Sequence, residues 1–140
     1  MFTNEIAIYG DYGVMADRLK EIGLFERILD VYICGAVVGM IMGRKGEKRK
    51  DKNSVKIFAG QLNNEIVRLR YLASVAYMID NSDKKNTEEG EDELLRNTFG
   101  DWFGVGDEKS KEKYNLLYEY ALGGIEIIFN KVDAEKNDTE

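Results

Sequence analysis

The chain has 140 residues, 44% hydrophobic and 33% charged, with a formal charge of −6, one cysteine and neither histidine nor proline. That size fits one domain whose core needs neither metal nor disulfide, and no cofactor is expected. A lone Cys34 excludes an intrachain disulfide, the lack of imidazole excludes Ser-His-Asp and Cys-His catalysis and His-based zinc sites, and the acidic balance argues against a surface coated with nucleic acid.

In chain order, Glu5-Ile6-Ala7-Ile8-Tyr9 alternates weakly and reads as a short strand ending at Gly10. Val14, Met15, Leu19 and Ile22 then mark an amphipathic helix over 11–22, with Asp11 as N-cap and Gly23 as its stop. A second helix runs over 25–42 and contains the most apolar run of the chain, the uncharged stretch 31–43. That run falls short of the roughly 18 to 20 apolar residues of a membrane span, and the first five residues do not begin a secretory signal, so a cytoplasmic chain is expected. Residues 44–53 form a loop with six Lys or Arg against two acidic residues, net +4, which leaves −10 on the remainder. The segment 54–58 starts extended, and Leu62, Ile66, Leu69, Leu72, Ala73, Ala76 and Ile79 mark one long helix over 59–79. The acidic stretch 82–93 reads as a mobile loop. A short helix follows around Leu94, Leu95 and Phe99, broken by Gly100, Gly104 and Gly106. Asp107 or Ser110 caps a last helix that places Tyr114, Leu117, Tyr118, Ala121, Ile125 and Ile128 on one face, and Gly123-Gly124 should weaken or kink it. Residues 133–140 read as a frayed polar tail. The expected fold is an all-α, single-domain bundle of four to five helices over 1–132 with a short N-terminal strand.

Four features could carry function. Gly35, Gly39 and Gly43 share one helix face and make a groove for close helix crossing, by the 59–79 helix, the last helix or a second copy of the chain. Arg44, Lys45, Lys48, Arg49, Lys50 and Lys52 can neutralise phosphates or meet an acidic partner, although no aromatic residue is interleaved among them for stacking on single strands. Trp102 and Phe103 either anchor a partner or plug the bundle end, and Tyr114, Tyr118 and Tyr120 are similarly ambiguous. Asp30, Glu65, Asp80 and Glu119 are the carboxylates that could act as general acids or Mg²⁺ ligands if they converged. Cys34 reads as a small core residue, and the glycines match neither phosphate-loop motif.

The turn at Gly23-Leu24-Phe25, the apolar helix closing on Gly43-Arg44-Lys45-Gly46-Glu47-Lys48-Arg49, and the late Tyr118-Glu119-Tyr120-Ala121-Leu122-Gly123-Gly124-Ile125 together resemble a family of small helical proteins. Its members are encoded beside bacterial DNA phosphorothioation (Dnd-type) modification and restriction genes. The resemblance spans about residues 5–130 and implies an accessory role in defence against foreign DNA, with no catalytic residue carried over. Over the first 43 residues the order strand, helix, turn, helix also resembles a ribbon-helix-helix DNA binder, but Glu5, Ala7 and Tyr9 on one strand face bring no cation to DNA. The resulting expectation is a non-enzymatic subunit of a larger assembly, docking through the basic loop, with a carboxylate-dependent nuclease or hydrolase as the competing class. Reversing the charge of Arg44, Lys45, Lys48, Arg49 and Lys50 is expected to abolish docking and spare the fold.

Overall fold

A computed structural model describes residues 2–51, 53–99 and 107–138, without the side chains of 84, 85, 107–109 and 136–138. The expectations for Lys52, Trp102, Phe103, Gly100, Gly104, Gly106 and an Asp107 cap lie outside these described atoms. Among the described residues the chain forms six α-helices, one 3-10 turn and a two-stranded antiparallel sheet. The all-α expectation holds.

Strand β1 (Ile6–Tyr9) leads without a linker into α1 (Gly10–Glu21). Asp11 is therefore not the N-cap. Tyr9 occupies that position, extended and without a side-chain bond, and Asp11 sits in the first turn. Helix α2 (Ile28–Met42) starts three residues later than the apolar pattern predicts, because Arg27 is extended and caps it. The Asp30 carboxylate accepts from the Arg27 backbone N–H at 3.1 Å and from its guanidinium at 2.7 and 3.1 Å, which fixes that start. The guanidinium bond also holds the Asp30 carboxyl below its ordinary value. A lowered folded-state pKa contributes stability that is complete above the unfolded value near 4 and is lost as pH falls through the folded one. Asp30→Asn is expected to lower the melting temperature by about a few degrees at pH 7 and to flatten the acid limb of a melt series. An unchanged acid limb would count against this role.

Helix α2 ends where Gly43 adopts φ +65°, with the Gly43 N–H donating to Met40 O at 3.3 Å and the Arg44 N–H to Gly39 O at 2.8 Å. Nothing lies within 4 Å of a Cβ added there, so Gly43 is not part of the packing groove. It closes the helix. Gly43→Ala should cost about 1 kcal/mol from left-handed strain alone, measurable by urea unfolding, with no change in binding.

Strand β2 (Ser54–Ile57) pairs with β1 in the register Ile6↔Ile57 to Tyr9↔Ser54, and Ile8 and Ile57 face the core fully buried. The predicted 59–79 helix divides into α3 (Ala59–Asn64) and α4 (Ile66–Asp80) at Glu65, which leaves helical geometry with φ −112° and ψ 20°. The acidic stretch 82–93 takes up helical structure rather than a loop. After a 3-10 turn at Ser82–Asn86, α5 (Glu88–Phe99) begins with Glu88, Glu89 and Glu91 in its first turn, where the helix dipole favours negative charge, and the Thr87 hydroxyl accepts from Gly90 N–H at 2.9 Å. Helix α6 (Asp107–Asp138) begins before Ser110 and includes residues 133–138 of the expected tail.

Helices α2 and α6 form the central pair. Gly123-Gly124 does not interrupt α6; it creates a notch. A Cβ at Gly124 would fall on the Gly35 carbonyl and within 2.8 Å of Gly39 N, while one at Gly35 would meet the Ala121 carbonyl at 2.8 Å. Two of the three α2 glycines therefore sit where backbone meets backbone, and the partner helix is α6 of the same chain. The core around this crossing contains Leu29, Tyr32, Ala36, Leu117, Ala121 and Ile125. Among the described residues no helix is long and apolar enough to cross a membrane.

Candidate nucleic-acid interface

The basic segment is an extended strap laid over the body rather than a free loop. Gly123 lies one position, about 100° of helical turn, from Gly124, so it faces a different neighbour. A Cβ there would meet the carbonyl of Arg44, and one at Gly46 would come within 2.5 Å of Leu122 Cβ. The absent side chains let the Gly46 N–H reach the Glu119 carbonyl in mid-α6 at 2.7 Å, and the next N–H, that of Glu47, donates to the Tyr12 hydroxyl at 3.3 Å. At the far end the Gly10 N–H donates to Asn53 O at 3.0 Å, continuing the β1–β2 ladder. The strap backbone is thus held at its first residues, Arg44, Gly46 and Glu47, and at its last, Asn53.

Its cations divide into two groups. Arg44 pairs with Glu126 at 3.1 Å and Lys45 with Asp80 at 2.6 Å, bonds that tie the strap to α6 and α4. The hydrogen bond to Asp80 raises the Lys45 pKa, so its charge is secure. Further on, Lys48 donates to the neutral amide of Asn115 at 2.6 Å and lies 5.7 Å from the centre of the Tyr118 ring. Arg49 lies 5.5 Å from the Tyr12 ring and 3.5 Å from Asp11, a carboxylate that is mostly in solvent. Lys48, Arg49 and Lys50 are all exposed. Exposed ion pairs and cation–π contacts of this kind are each weak, about 0 to 1 kcal/mol, so these cations exchange partners readily.

Beside that second group is a cleft of about 350 Å³. Tyr9 and Ala7 of β1, Tyr32 of α2 and Tyr114 and Tyr118 of α6 line it, and Lys48, Arg49 and Lys50 stand at its edge. Tyr118 donates to the Ala7 carbonyl at 2.7 Å, and burial pushes its hydroxyl pKa up to about 12, so the donor proton stays in place. This bond also sets α6 against β1, whose pairing partner is β2 of its own chain, whereas a ribbon-helix-helix dimer pairs that strand with a second chain. The strap itself lacks aromatics, as the sequence shows, yet the fold supplies them from β1, α1, α2 and α6. Spacing within 44–52 could not signal this. The tyrosines at 114 and 118 are visible in the sequence as one helical face, but not what that face meets.

The four carboxylates separate into two pairs, each around a cation. Asp30 and Glu65 flank Arg27 at 2.7 and 3.8 Å, and Arg68 approaches Glu65 at 3.5 Å. Asp80 holds Lys45, beside which Glu119 also lies. Among the described residues no group of three or more Cys, Asp and Glu could hold a metal ion. Cys34 is half-buried, and burial pushes its thiol up, away from the reactive thiolate. A polar group in the core that sequence reasoning missed is Lys113. It is fully buried, donates to the Thr98 carbonyl at 2.7 Å and lies 5.5 Å from the Tyr77 ring, so it ties α6 to the end of α5.

No family model, curated protein or solved structure matches the chain.

Proposed function

We propose that the protein is a non-enzymatic accessory subunit of a bacterial DNA-modification or anti-phage defence assembly, and that it docks on nucleic acid through the strap. The observation that carries this reading is the arrangement of Lys48, Arg49 and Lys50. They are exposed on a segment whose backbone is held before them at Gly46 and Glu47 and after them at Asn53, and among the described residues the side-chain partner of Lys48 is the neutral amide of Asn115 rather than a carboxylate. An exposed, weakly paired cation can exchange its present partner for a phosphate. The acidic remainder repels the backbone elsewhere and so restricts contact to this edge. The resemblance to proteins encoded with phosphorothioation genes supports the DNA context.

Fluorescence anisotropy with labelled DNA across a salt series tests the reading. Binding should weaken linearly in log–log form as salt rises, with a slope of roughly −2 to −3 if the three cations each neutralise about one phosphate. Absence of binding at low salt, or binding indifferent to salt, would reject nucleic acid as the partner.

A further inference from the structure

Nucleotides present two chemistries at once, an aromatic face and an anionic phosphate, and the cleft beside the strap offers the counterpart of each. Tyr9, Tyr114, Tyr118 and the buried Tyr32 line it together with Phe2, whose ring lies 4.9 Å from that of Tyr114. The exposed Lys48, Arg49 and Lys50 line it as well. Among the described residues one carboxylate lines the cleft, that of Glu5, and it is engaged by Lys56 at 3.4 Å. From this juxtaposition we infer that the cleft takes one nucleotide of a single strand, its base against the tyrosine rings and its phosphate on the strap cations. This assignment rests on the docking reading above and narrows it.

The size and the chemistry both favour a single strand. A volume of about 350 Å³ is at the small end of ligand sites and admits one base-sized group. A base stacked and paired within a duplex cannot enter such a recess, whereas an unpaired one can turn into it. Tyrosine faces stack on any base, so the site predicts sequence-tolerant binding. Lys48 already lies over the Tyr118 ring, held by the amide of Asn115, and a phosphate replaces that neutral partner with a charged one.

The test compares a short fluorescein-labelled oligothymidylate with a duplex of mixed sequence, on wild type, Tyr114→Leu and Tyr114→Phe, with thermal melts to check folding. The expected result is tighter binding of the oligothymidylate, a roughly tenfold loss in Tyr114→Leu, and retention in Tyr114→Phe, which keeps the ring. Thymidine monophosphate should displace the oligomer from wild type at concentrations where inorganic phosphate does not, a readout that needs no variant. Equal competition by inorganic phosphate would overturn the stacking role of the cleft. Equal binding of duplex and oligomer, with Tyr114→Leu folded and unaffected, would overturn the cleft while leaving strap docking intact. Failure of wild type to bind any nucleic acid would remove both. Equal affinity for polyglutamate would replace the nucleotide with an acidic peptide.

Discussion

Gly124→Val is expected to destabilise the protein by about 3 kcal/mol or more, lowering the melting temperature by about 10 °C. The α2–α6 crossing brings backbone to backbone, so the obstacle to a new side chain is the Gly35 carbonyl and the Gly39 amide rather than the end of a flexible group. Neither can rotate away. The two helices must separate, and the buried side chains around them, Ala36, Ala121 and Ile125, are pulled out of their packing together. Gly60→Ala provides the contrast. That glycine lies in α3, has no atom within 4 Å of an added Cβ and no positive φ, so alanine should be neutral or stabilise by about 0.5 to 1 kcal/mol. Urea unfolding of both variants decides the matter, and equal stabilities would show that the close crossing contributes nothing. The same geometry makes Gly39→Leu unsuitable for testing whether a second copy of the chain uses this groove. A Cβ there collides with the Tyr120 carbonyl, so loss of fold precedes any change in self-association.

The glycine spacing in 31–43 is legible as a close approach of helices, yet the residues on its other side are not. Gly35 and Gly39 serve the crossing, whereas Gly43 has the same spacing and a different task, the left-handed end of the helix. Periodicity assigns a residue to a face but does not say where that face stops being covered. Gly123-Gly124 illustrates the converse. Helix propensity penalises both residues, and the tertiary packing more than compensates, because only glycine admits α2 on one side and the strap on the other. Strand pairing across the 44 residues between Tyr9 and Ser54 has no local signal beyond two weakly alternating segments, since the register depends on Ile8 and Ile57 reaching the same core. The acidic stretch misleads for a definite reason. Charge density at 88–93 reads as solvation, but at a helix start it is favourable electrostatics. The site follows the same division: the cations of the strap are readable from composition, and the tyrosines beside them are assembled from four separate elements.

Composition treats the six strap cations alike, and in the fold the partners of the five described ones separate them into positioning and binding groups. The triple variant Lys48→Glu, Arg49→Glu, Lys50→Glu should lose nucleic-acid binding across all salt concentrations, removing up to about 0.9 of log–log salt slope for each phosphate no longer neutralised. Its melting temperature should stay close to wild type, because these side chains make only exposed interactions. The double variant Arg44→Glu, Lys45→Glu should behave differently. It sets new carboxylates against Glu126 and Asp80, where each present pair is replaced by repulsion, and it loosens the strap from α6 and α4. Stability should fall by about 1 to 2 kcal/mol, and binding should weaken indirectly, recovering in part when Glu126→Lys and Asp80→Lys are added to restore opposite charge. That recovery distinguishes the groups, since no change in the body can restore the triple variant. Should the double variant lose binding outright, with stability unchanged and no recovery, Arg44 and Lys45 would themselves touch phosphate, and the division of the strap would be wrong.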